Sequence, residues 1–252
     1  SNPNYITHII ETHQQLEQYE EAEIFLLKLL ERYKFPGFLV ELGYNYQLIN
    51  DVESANKYYD EAIATLDANP SYVFTVTRSF QKHSLLDKAI IAYEKAMQLK
   101  PDYNFNLQLA QLYGEQGNIE KMFVGYINFV ESNPVTLSTI KRYINDFISE
   151  NSLSENNILF RKILLKKIQQ EPKLLWNEML SWLFIQQKDF NKAFIQEKAI
   201  FKRQPESLSR IEDLAEIALN ENDNETAKAI YSFIISTAQD LDTLLNANYN
   251  VL

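Results

Sequence analysis

The sequence predicts an all-α fold, built by stacking pairs of helices in line, on three observations. A small–aromatic–small pattern, Ala55-x3-Tyr59-x2-Ala62, returns 34 residues later as Ala89-x3-Tyr93-x2-Ala96. The seven prolines, Pro3, Pro36, Pro70, Pro101, Pro134, Pro172 and Pro205, are spaced 33, 34, 31, 33, 38 and 33 residues apart. There are only 5 glycines in 252 residues, and no run of alternating apolar residues that reads as a strand. A fixed period of this length marks a helical solenoid, in which each unit buries its face against its neighbours.

Each proline is expected near a helix start. Proline lacks an N–H and disrupts a helix interior, but it suits the first turn. Asn69-Pro70 and Asn133-Pro134 place asparagine where a helix N-cap is expected. The i, i+4, i+7 spacing of Ala55, Tyr59 and Ala62 puts all three on one helix face. Small alanines let two helices approach closely, and the aromatic fills the space between units.

With Leu42-Gly43-x2-Tyr46 upstream, these residues resemble the tetratricopeptide repeat (TPR) family. That motif has Leu-Gly-x2-Tyr on helix A, then Ala, an aromatic and Ala on helix B, then Pro. The resemblance implies a right-handed α-α superhelical solenoid of about seven helix pairs plus a final partial helix, spanning residues 1–252 as one domain.

Repeat 1 covers about 3–35, with Ala22, Leu26 and Leu29 on helix B and an end-unit helix A poor in motif residues. Repeat 2, 36–69, carries the full motif. Repeat 3, 70–101, keeps Phe80, Ala89, Tyr93, Ala96 and Pro101 but has Val76-Thr77 in place of Leu-Gly. Repeat 4, 102–134, has Leu109-Ala110-x2-Tyr113 and a Gly117-Asn118 turn. Met122 and Phe129 stand there in place of alanines, which is expected to push its helices apart.

Repeat 5, 135–172, is irregular. Its extra residues are expected in the polar run Glu150–Asn157, with Ser152-x2-Glu155 as a capping box. Repeat 6, 173–205, has Phe184, Ala193 and Ile200, with Glu197 in the aromatic slot. Repeat 7, 206–239, recovers the motif in Leu214-Ala215-x2-Ala218 and Ala227-x3-Tyr231-x2-Ile234. Residues 240–252 read as an eighth helix A with no polar cap, so the natural chain is expected to continue. Ser1-Asn2 reads as a cloning scar.

The formal net charge of −10 disfavours nucleic acid as a partner, which needs a basic face. No apolar stretch is long enough to insert into a membrane. Cysteine is absent, which removes disulfides and thiolate chemistry and leaves the compartment open. Oligomeric state is open too. The three histidines, His8, His13 and His83, are expected at the surface; His8-x2-Glu11 is only a possible i, i+3 pair, and no metal set is visible. No phosphate-binding glycine loop or nucleophile elbow occurs. No cofactor and no catalytic constellation is expected.

The resemblance implies a non-catalytic scaffold that binds a peptide or protein segment in a concave groove lined by A helices. A regulatory or docking region of a larger protein, with its catalytic or signalling domain elsewhere, is the alternative. The implied groove positions are Thr7, Glu11 and Gln14; Val40, Tyr44 and Gln47; Phe74, Arg78 and Gln81; and Asn104, Leu107 and Gln111. Tyr44, Phe74 and Arg78 stand out, because aromatics and arginine dominate binding hot spots. Trp176 and Trp182 read as core, with groove exposure open for Trp182. The chaperone-binding TPR subclass clamps a terminal carboxylate with lysine and asparagine. One arginine and no lysine in these positions do not support that use.

Overall fold

The computed structural model describes residues 3–205 and 207–251; Ser1, Asn2, Glu206 and Leu252, which the sequence reading assigns to the chain ends and to the start of repeat 7, lie outside the described residues. Among the described residues, regular structure is helical throughout. In order these are α1 (Pro3–Gln15), α2 (Tyr19–Tyr33), α3 (Gly37–Leu48), α4 (Val52–Ala68), α5 (Val73–Lys82), α6 (Leu86–Leu99) and α7 (Asn106–Glu115). Then follow α8 (Ile119–Ser132), α9 (Leu137–Asn145), α10 (Glu155–Gln170), α11 (Leu174–Gln186), α12 (Phe190–Arg203), α13 (Ser209–Asn220), α14 (Asn224–Thr237) and α15 (Leu241–Val251). The chain divides into two compact units between Gly117 and Asn118.

Within each unit the packing is nearest-neighbour, as a solenoid requires. In the first unit α3 packs on α4 within a pair and on α5 of the next pair, while α4 packs on α6. In the second unit α11 packs on α12, α13 on α14 and α12 on α14.

The turns within pairs share one conformation. Glu17, Asn50, Ser84 and Gly117 are left-handed, at φ 58°, 62°, 56° and 74°, and Lys188 and Asn222 repeat this at 54° and 65°. Only glycine and asparagine adopt that region readily. The next residue often caps helix B. Asp51 accepts from the Ser54 N–H at 3.1 Å and Asp223 from the Thr226 N–H at 3.1 Å. Asn118 and Asp189 do the same for Lys121 and Lys192. A carboxylate or amide oxygen there satisfies one of the free N–H groups of the first turn.

Gly43 makes the close approach in the second pair. A Cβ on it would lie 2.5 Å from the Tyr59 ring and 3.0 Å from the Ala55 carbonyl oxygen. Ile10, Leu26, Leu29 and Leu42 form a continuous buried cluster joining the first two pairs.

Two local expectations are corrected. Ser154, not Ser152, caps α10, because its side chain accepts from the Asn157 N–H while Ser152 lies two residues further out. Asn69 does cap the turn of 3-10 helix at Pro70 through the Ser71 N–H, at 3.1 Å. Asn133 makes no equivalent side-chain bond.

The irregular fifth pair has a long connection, residues 146–154, with no left-handed residue in it. Asn157 organises it instead. Its fully buried amide donates to the carbonyls of Ser149 at 2.7 Å and Asn151 at 2.9 Å, and its oxygen accepts from the Ser149 N–H at 3.2 Å. One side chain thus does for this turn what backbone conformation does elsewhere.

Candidate functional site on the A helices

In the first unit α1, α3 and α5 supply most of the implied groove positions. Their charged groups are largely engaged with one another. Glu41 is buried, and its Oε1 and Oε2 accept from Lys82 Nζ at 3.2 and 3.3 Å; His83 Nε2 lies 2.9 Å from the same Oε2. Lys82 also pairs with Glu11 at 3.0 Å, which ties α1, α3 and α5 together. Burial pushes the Glu41 carboxyl up, but His83 and Lys82 outweigh it and hold it below its ordinary value.

His83 is therefore corrected: its side chain is only 7% exposed, since Glu41 and the Tyr44 ring enclose it. The Tyr44 ring stacks on its imidazole with centroids 3.7 Å apart. The expected His8–Glu11 pair is present at 3.5 Å. Among the described residues no group of three or more His, Asp or Glu side chains is placed to hold a metal.

The other positions divide by burial. Val40 and Gln14 are packed away from solvent, Val40 completely. Thr7, Tyr44 and Leu107 are half-buried, and Asn104 and Gln111 are exposed. Gln47 is exposed but accepts from the Tyr59 hydroxyl at 2.8 Å, and Gln81 donates to the Tyr93 hydroxyl at 3.4 Å. The same two positions meet in successive pairs, with the direction of the hydrogen bond reversed. Each spends part of an amide on the fold.

Phe74 and Arg78 differ. Phe74 is 55% exposed, held by edge contact with Phe105 at 5.6 Å. Arg78, one turn on, is exposed and has no hydrogen-bond or ion-pair partner among the described residues. With Thr77, Gln81, Lys82 and Tyr93 they line a cleft of about 430 Å³.

Trp182 lies in the second unit. It is half-buried, edge-on to Phe160 at 6.4 Å. Trp176 is fully buried, with Lys167 Nζ over its ring at 5.4 Å.

No helix among the described residues is long and apolar enough to cross a membrane. No family model and no curated protein matches the sequence. Several solved structures are similar at low scores. A tetratricopeptide repeat protein from Parabacteroides merdae is 15% identical, with 86% of each chain covered and a TM-score of 0.34. A thermophilic TPR protein from Thermus thermophilus is 14% identical, covering 86% of this chain and 98% of that one, with a TM-score of 0.28. A chain of the Naa15/Naa10 complex bound to HypK-THB is 15% identical over all of this chain and 45% of that one, with a TM-score of 0.34. The assignment of the fold rests on this chain's own helix pairs. The left-handed turns within six of the pairs and the close helix approach at Gly43 make this chain an all-α helical-repeat protein.

Proposed function

We propose that the A-helix face of the first unit binds an extended segment of a partner protein, with Phe74 and Arg78 as its anchors. The observation that carries this reading is the unpartnered, exposed guanidinium of Arg78 beside the exposed Phe74 ring, at a cleft of about 430 Å³. Neighbouring charges on this face are paired: Lys82 with Glu11 and Glu41, and Glu41 with His83. A planar guanidinium without a carboxylate presents a fork of donors to whatever docks there. Phe74 offers apolar area already held by Phe105, so little freedom is lost when a ligand packs on it. Gln111 adds an exposed amide for the backbone of an extended chain.

The test is quantitative affinity capture by wild type and by Phe74→Ala/Arg78→Ala. Asp60→Asn/Asp67→Asn, on the surface of α4, serves as control. The expected result is a specific protein partner lost from the first variant and kept by the control. Equal capture by all three overturns the reading.

A further inference from the structure

We infer that the outward face of α10, in the second unit, is a docking surface for an acidic amphipathic segment of a partner protein. Helix α10 carries four of the chain's 24 cations and one of its 34 anions, Glu155 in its first turn, in a protein of net charge −10. Lys167 is engaged, at 2.6 Å from Glu131. Arg161, Lys162 and Lys166 have no hydrogen-bond or ion-pair partner among the described residues.

The placement of these groups is regular. The buried face of α10 carries Asn157, Phe160 and Leu164. At 3.6 residues per turn, Ile158 and Leu165 fall together about 120° round the helix from that buried face. They are 42% and 44% exposed. Lys162 and Lys166 lie to one side of this pair and Arg161 to the other. An apolar strip at i, i+7 flanked by cations is the complement of a helix with the same strip flanked by aspartate or glutamate.

Charge and composition select this occupant over an anionic bilayer. Bilayer docking by charge takes about 4–8 clustered cations, and stable interfacial helices add aromatic or larger apolar anchors. The exposed face of α10 offers three free cations and two aliphatic side chains. An acidic protein is also repelled by an extended anionic surface, whereas a single segment feels mainly the charges within about 10 Å.

Fluorescence anisotropy tests the inference with designed peptides of about four helical turns. One carries Leu at i and i+7 flanked by Glu, one is its scrambled isomer, and one has Lys in place of Glu. The full chain should bind the acidic peptide at least about tenfold more tightly than the scrambled one, and less tightly as salt screens the charges. Lys162→Glu/Lys166→Glu should lose the acidic peptide and gain the lysine peptide. Ile158→Ser/Leu165→Ser should weaken binding, and Phe74→Ala/Arg78→Ala should leave it unchanged. Lys162→Gln/Lys166→Gln keeps helix propensity and should show part of the same loss, with circular dichroism confirming the fold of every variant. Absence of binding, equal affinity for the scrambled peptide or full affinity in the charge-reversed variant overturns the inference. Sedimentation with anionic vesicles in place of peptide binding also overturns it, in favour of a lipid surface.

Discussion

Glu197, buried in α12, accepts both hydrogen bonds of the Arg210 fork from α13, Nε and Nη2 each at 2.8 Å. This carboxylate occupies the slot that Tyr59, Tyr93 and Tyr231 fill in other pairs. Arg210 also reaches Glu178 of α11 at 3.1 Å, and Glu178 pairs with Lys141 of α9 at 3.1 Å. Four helices are linked by charge where their relatives are joined by an aromatic ring. Burial of Arg210 opposes its charge, but Glu197 and Glu178 outweigh that and hold the guanidinium protonated well above its ordinary range. Arg210→Met would leave Glu197 buried without a counterion. Removing one partner of a fully buried pair costs about 3–5 kcal/mol; with the Arg210 side chain 42% exposed, solvent screening reduces the expected loss to about 2 kcal/mol. Glu197→Tyr/Arg210→Met should recover much of it, read as the urea midpoint of each variant against wild type.

The helix pairs were legible because their signals are local: proline spacing, alanines at i and i+7, and Gly43 in its Leu-Gly step. What was illegible depends on residues far apart in sequence. Nothing near His83 announces a carboxylate 42 positions earlier, so its burial against Glu41 could not be read from its neighbours. Glu197 in the aromatic slot is a departure from the motif that only its pairing with Arg210, on the next helix, explains. Among the implied groove positions, Val40 is fully buried, because a motif register gives an angle around the helix but not the depth of the neighbouring helix.

Gly43→Ala tests the closest helix approach. The added methyl would lie 2.5 Å from the Tyr59 ring and 3.0 Å from the Ala55 carbonyl oxygen. The alanine gains about 1 kcal/mol of helix propensity, while overpacking costs about 1–3 kcal/mol and more when backbone must move. A net destabilisation of about 2 kcal/mol is expected by thermal melting. Tyr59→Leu in the same background should relieve only part of it, because the Ala55 carbonyl is backbone and stays in place.

Asn157→Ala tests the long connection of the fifth pair. The substitution removes three hydrogen bonds and leaves the carbonyls of Ser149 and Asn151 without this donor. A loss of about 2 kcal/mol is expected, since each of the three hydrogen bonds contributes about 0.5–1.5 kcal/mol net. Hydrogen exchange should quicken at 146–154 before it quickens in α11 or α12. Unchanged exchange in the connection would mean that Asn157 does not order it.

The Glu41 cluster predicts how the first unit responds to pH. Burial raises the Glu41 carboxyl, and His83 and Lys82 more than offset this, leaving it below its ordinary value of 4.5. Burial lowers the Lys82 ammonium, and Glu41 and Glu11 more than offset that, leaving it above 10.5. A carboxyl depressed by folding contributes stability above its unfolded value and loses it as pH falls through the folded one. An ammonium raised by folding contributes below its unfolded value and loses it as pH rises through the folded one. Both contributions are present together at neutral pH. Glu41→Gln keeps the shape and removes the charge, so its urea midpoint should lie below wild type at neutral pH. The gap should close on acidification below 4.5, where the wild-type carboxyl takes up its proton. A gap of constant size down to that acidity would mean that Glu41 acts through its shape and not its charge.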